Sequence, residues 1–60
     1  MKWNELRKIA KAKGWKYLKD GGRHEIWIHD KRPDLLIIER HEAKEIAPGL
    51  YHKLKKQIGF

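Results

Sequence analysis

Trp15-Lys16-Tyr17-Leu18-Lys19-Asp20-Gly21-Gly22-Arg23-His24-Glu25-Ile26-Trp27-Ile28-His29, residues 15–29, is the stretch whose reading decides the fold. Residues 15–19 alternate loosely between aromatic or aliphatic side chains and lysines, the composition of a half-buried strand. Asp20-Gly21-Gly22 then supplies positive-φ positions of the kind a tight hairpin needs. His24–His29 places β-branched and aromatic residues at close intervals and predicts a second strand, antiparallel to the first. Asp30 to Asp34, with Pro33, read as the next turn, and Leu35-Leu36-Ile37-Ile38 as a third strand.

Helices flank this sheet on both sides in sequence. Leu6, Ile9 and Ala10 recur at helical spacing, Asn4 is a good N-cap and Gly14 suits a left-handed C-terminal position, which predicts a helix over about 4–13. Pro48 fits a first helical turn, Leu50, Tyr51, Leu54 and Ile58 fall on one side, and Gly59 terminates, which predicts a second helix over about 48–58. The order is α-β-β-β-α. A three-stranded antiparallel sheet of this size has a core only if both helices cover one of its faces, so the expected class is α+β. The 60 residues are read as one domain, with no internal repeat, low-complexity stretch or long linker.

Charge narrows the partners. Fifteen Lys and Arg against eight Asp and Glu give a formal net charge of +7, enough to concentrate and steer a polyanion. The N-terminal third is the most basic part: Lys2, Arg7, Lys8, Lys11, Lys13, Lys16, Lys19 and Arg23 face only Glu5 and Asp20. Nucleic acid is therefore the expected partner. No apolar run approaches the roughly 20 residues that span a bilayer, and the N-terminus lacks a secretory h-region, so a soluble, cytoplasmic location without membrane attachment is expected. With no cysteine, disulfides, thiolate zinc sites and cysteine nucleophiles are excluded.

The element order and basic helix faces together suggest a double-stranded-RNA-binding type of fold, which reads backbone shape across successive grooves. Gly14-Trp15, Gly22-Arg23-His24-Glu25-Ile26-Trp27, Arg40-His41, Lys44-Glu45-Ile46-Ala47-Pro48-Gly49 and Gln57-Ile58-Gly59 follow one another in order and spacing over nearly the whole chain. In this pattern the sequence resembles the HicA family of messenger-RNA interferase toxins. The resemblance implies an endoribonuclease neutralised by a HicB-type antitoxin that covers the active site, and it aligns His24 with the family's catalytic histidine. It also shows departures: Arg23 stands where the family usually has serine, Glu39 where proline is common, and Glu42 where glycine is usual.

The chemistry of the candidates agrees with that implication. Metal-independent RNA cleavage needs a base near neutral pH to deprotonate a 2′-hydroxyl, and imidazole suits the task. His24 opens a strand after a double glycine, with Arg23 beside it to hold an anion. His41, after Arg40, is the weaker second candidate, as general acid or phosphate ligand. His29 is expected in solvent near the turn, and His52 on the polar side of the second helix. No histidine pair has the spacing of a helical zinc site, so neither metal nor other cofactor is expected.

Lys2, Arg7, Lys8, Lys11, Lys53 and Lys56 form the expected phosphate-binding set, with Arg23 and Arg40 near the histidines. Trp3 and Trp15 are expected in or at the edge of the core. If Ile26 and Ile28 turn toward the helices, Trp27 faces away with Glu25 and His29, as a stacking surface or a protein-binding patch. The reverse register puts Trp27 in the core and turns His24 to the opposite face. A silent RNA-binding module of the same fold and a small protein-binding adaptor are the competing functional readings; RNA integrity after incubation with the domain and salt-sensitive binding separate them.

Overall fold

A computed structural model describes residues 1–40 and 43–60. Its elements are α1 (Trp3–Ala12), β1 (Lys16–Gly21), β2 (His24–His29), β3 (Arg32–Glu39) and α2 (Pro48–Ile58). The three strands form one antiparallel sheet in the order β1-β2-β3. Both helices pack on one of its faces, as the amphipathic patterns of their sequences require.

Helix α1 buries Trp3, Leu6 and Ala10, and α2 buries Leu54 and Ile58. These meet Trp15, Trp27, Leu36, Ile38 and Ile46 in a single apolar core. Leu36 and Ile38 supply the β3 face, and Trp27 lies directly across from Leu36 in the β2–β3 register. The indole of Trp15 also ties the stretch between α1 and β1 to the end of α2, its Nε1 donating to the Ile58 carbonyl at 3.4 Å.

The start of α1 differs from the expected cap at Asn4. The helix begins one residue earlier, with Lys2 at the N-cap position and no side-chain cap bond. Tertiary pairing explains this: Lys2 and Glu45 form an isolated antiparallel bridge, Trp3 N–H donates to the Lys44 carbonyl, and Ile46 N–H to the Met1 carbonyl. Fixing the backbone at residues 1–3 against 44–46 sets where the helix starts, whatever the local cap preference.

The hairpins are tighter than their sequences suggest. Strand β1 continues through Gly21, and the turn is Gly22-Arg23. Gly22 alone has positive φ there (72°), the sign pattern of a turn with glycine at the first central position. Gly21 serves a different need, because a Cβ on it would sit 2.9 Å from Ile26 Cδ1. The second turn is only Asp30-Lys31, with His29 and Arg32 paired across it. Strand β3 is thus longer than the expected 35–38, and it accommodates Pro33 because an edge strand tolerates a missing N–H.

Candidate functional site

The side chain of Trp27 decides which face each β2 residue occupies. It is 2% exposed and belongs to the core, so the outward stacking or partner-binding position expected for Trp27 is corrected. The reason is the polar handle it finds at the core edge: its Nε1 donates to Glu25 Oε1 at 3.1 Å. Burying a large indole whose N–H is satisfied outweighs burying Ile26 or Ile28 in its place. Strand alternation then turns His24, Ile26 and Ile28 to the open face of the sheet.

Arg7 is corrected for the same reason. Expected on the phosphate-binding face, it is only 14% exposed, with Nε 3.0 Å from Glu25 Oε1 and one terminal nitrogen donating to the Glu39 carbonyl. Glu25 thereby accepts from both Arg7 and Trp27 and links α1 to β2. Arg7 Nη1 is buried with no hydrogen-bond partner among the described residues. This guanidinium fixes α1 over the sheet and is not available to a ligand at the surface.

His29 also departs from expectation. It is half-buried and meets Trp15 edge-on with ring centroids 5.2 Å apart. Its Nε2 is 2.9 Å from the Lys13 carbonyl, and its Nδ1 accepts from Lys31 N–H at 3.0 Å. Those partners assign the proton to Nε2 and leave Nδ1 as the acceptor. The ring joins the end of α1 to the β2–β3 turn, a structural task that uses both nitrogens.

His24 stands apart from all this. It is exposed, opens β2 directly after the Gly22-Arg23 turn, and pairs with Gly21 on one side and Glu39 on the other. Glycine leaves the imidazole without a side-chain neighbour from β1 at its own level. Arg23 lies exposed in the turn beside it. Arg40, the residue after β3, is at the same end of the sheet, and its terminal nitrogen is 2.5 Å from Asp20 Oδ2. Thus three residues expected from the sequence, Arg23, His24 and Arg40, collect at one end of the sheet. His41 lies outside the described residues.

Tyr17 and Asp20 lie beside that end but, paired with Trp27 and Glu25, on the face opposite His24, and were not expected from the sequence. The Tyr17 hydroxyl donates to Asp20 Oδ1 at 2.7 Å. That bond, with help from the Arg40 charge, holds the Asp20 carboxyl below its ordinary range. Conversely, the bond to Asp20 and the nearby carboxylate charges raise the Tyr17 hydroxyl above its ordinary value. The only sequence signal was an aromatic three residues before an acid, which is too common to single out.

The remaining expected cations differ in freedom. Lys2, Lys8, Lys53 and Lys56 are exposed and form no ion pair among the described residues. Lys11 is also exposed, but its ammonium lies over the Trp27 ring, 5.8 Å from the centroid. No three His, Asp or Glu side chains among the described residues gather as a metal site.

A family model described as the HicA toxin of bacterial toxin–antitoxin systems matches residues 3–60. The chain belongs to the HicA toxin family. No curated protein matches it in a sequence comparison. Within the HicA pattern, several short segments turn out to be joints of the fold. Gly14 (φ 95°) packs where a Cβ would lie 2.9 Å from His29 Nε2, and Gly59 (φ 97°) where it would lie 2.8 Å from an Arg32 nitrogen. Gln57 donates to the Leu35 carbonyl at 2.9 Å and accepts, through its own carbonyl, from Arg32. The HicA segment Gly22–Trp27 is the part that combines a joint, Trp27, with an exposed titratable group, His24. No helix among the described residues is long and apolar enough to cross a membrane.

Proposed function

We propose that this HicA-family chain is an endoribonuclease that cleaves messenger RNA without a metal or other cofactor, and that a HicB-type antitoxin neutralises it. The observation that carries the reading is the setting of His24: exposed, on the open sheet face, beside Arg23, and flanked on β1 by a glycine. A phosphodiester approaching this end meets the guanidinium of Arg23 as anion holder and the imidazole as proton acceptor. His24 takes the proton of a 2′-hydroxyl, the oxygen attacks the adjacent phosphorus, and the 5′-oxygen leaves, giving a 2′,3′-cyclic phosphate. Imidazole in its other protonation state serves equally as the acid for the leaving oxygen, and His41 is the candidate for whichever role His24 does not take.

Lys2, Lys8, Lys11, Lys53 and Lys56 are proposed to hold the RNA backbone, with Arg40 contributing from its half-exposed position near Asp20. The test is His24→Ala. Removing one acid–base group is expected to slow cleavage about 10² to 10⁴-fold, while an exposed side chain changes stability by less than about 0.5 kcal/mol. The variant should therefore fold and bind RNA, yet not cut it, and chelator should leave the wild type active. Equal cleavage by wild type and variant would remove His24 from the mechanism and favour a silent RNA-binding domain.

A further inference from the structure

The two edges of the sheet are treated differently by the rest of the chain. At the β3 edge, Pro33 has no N–H, Gln57 donates to the Leu35 carbonyl, and Arg7 donates to the Glu39 carbonyl. These features occupy or delete the backbone groups that would template another strand, the usual protection of an edge. At the β1 edge the backbone groups are left open: among the described residues no hydrogen bond reaches the backbone of Lys16–Gly21 from outside the sheet, and the edge is blunted only by its lysines and by the register shift between Tyr17 and Lys19. All six β1 residues are exposed, including Tyr17 at 50%.

The open face beside that edge is apolar at its centre and basic at its rim. Ile26 lies across from Ile37, and Leu35 and Ile37 are 52% and 42% exposed. The register shift in β1 between Tyr17 and Lys19 places Lys16 against Ile28 and Lys19 against Ile26. Two lysines three apart in sequence therefore share the open face, with isoleucines inside them and His24 at the end. Lys16 is only loosely engaged, 3.8 Å from an exposed Asp30 carboxylate, a pair worth little.

We infer that β1 is the docking edge for an extended acidic segment of a partner protein, which adds to the sheet as a fourth strand. This deepens the function proposed above and rests on it: the partner is the neutralising antitoxin. Three observations choose the occupant. An open strand edge offers alternating N–H and C=O groups, and an extended polypeptide satisfies both in register, whereas the phosphates of an RNA backbone only accept. A second copy of this chain would bring Lys16, Lys19 and Arg23 against their own counterparts at +7 per copy. An acidic strand instead places carboxylates beside Lys16 and Lys19 and apolar residues toward Ile26 and Ile28. Neighbouring strands lie about 4.8 Å apart, so an added strand stands two spacings from β2, and its long side chains reach over Gly21 to His24.

Amide hydrogen exchange on the full chain tests this, using the HicB-type antitoxin co-expressed with it. Slowed exchange confined to Lys16–Gly21 and the open face is expected on complex formation. The double variant Lys16→Glu, Lys19→Glu should lose at least about tenfold in antitoxin affinity while still cutting RNA in its absence. Antitoxin that binds and neutralises with β1 unprotected, or with affinity unchanged in the double variant, overturns the docking edge and leaves the ribonuclease reading intact. Protection of β1 by RNA alone overturns it in favour of a nucleic-acid interface. A chain that cuts no RNA, or no antitoxin that restrains it, overturns both readings together.

Discussion

At the scale of single residues, the sheet end is organised by short polar interactions whose strength can be read by titration. The Tyr17 hydroxyl bond is the leading cause of the lowered Asp20 carboxyl, with the Arg40 pair adding to it. In Tyr17→Phe the carboxyl should therefore move up toward its ordinary value, observable by NMR titration of the Asp20 side chain. The linkage signs are opposite for the two partners. A depressed carboxyl stabilises the fold above its unfolded value and loses that contribution as pH falls through the folded value, in the acid range. A raised phenol contributes fully below about pH 10 and loses its contribution as pH rises beyond it. An Asp20 that titrates identically in wild type and Tyr17→Phe would show that Arg40 alone depresses it. Legibility was uneven at this scale. The exposed place of His24 at the start of β2 was readable from the glycines before it and the strand pattern after it, whereas Arg7 looked like any helix cation. Its burial depends on Glu25 and on the Glu39 carbonyl, two partners that sequence spacing does not bring together.

Elements were easier to read, and their errors have particular causes. The order of helices and strands followed from periodicity and glycine punctuation, while the start of β3 moved because the turn before it is only two residues long, and the start of α1 because residues 1–3 pair with 44–46. Trp27 illustrates the limit. Ile26, Trp27 and Ile28 are all apolar, so alternation alone gives two registers, and the bonded pair Trp27–Glu25 selects one. The glycines of the joints give a clean contrast. Gly22 has φ 72° with open space around it, so Gly22→Ala should cost about 1–2 kcal/mol from backbone strain alone. Gly14 has φ 95° and His29 Nε2 at 2.9 Å from where the methyl would sit, so Gly14→Ala adds the displaced ring and its bond to Lys13, worth about 0.5–1.5 kcal/mol more. Thermal unfolding of the two variants should rank Gly14→Ala below Gly22→Ala. Equal melting temperatures would mean that the His29 ring moves aside freely and does not join α1 to the second turn.

For the whole molecule, the question is how a +7 chain divides its cations between holding itself together and meeting the RNA proposed as its substrate. Arg7 and Arg32 are engaged internally, to Glu25 and Glu39 and to Gln57, while Arg40 pairs with Asp20 yet stays half-exposed and is shared between the two tasks. Lys8 projects from the same helix as Arg7, one residue on, and is exposed without an ion pair among the described residues. These neighbours should therefore behave oppositely. Lys8→Ala should leave the melting temperature within error and make the slope of log affinity against log salt shallower by about 0.7 to 0.9, as expected when one cation no longer neutralises a phosphate. Arg7→Ala strands a carboxylate and empties a nearly buried site, so it should lower stability by about 2 kcal/mol or more and leave the salt slope of the molecules still folded unchanged. Binding should weaken nearly uniformly across RNA sequences in the lysine variant, because interactions with the phosphate backbone carry no base information. A shallower slope in Arg7→Ala with native stability would show that the guanidinium leaves its pocket to meet phosphate, and the division between structural and ligand-facing cations would then have to be redrawn.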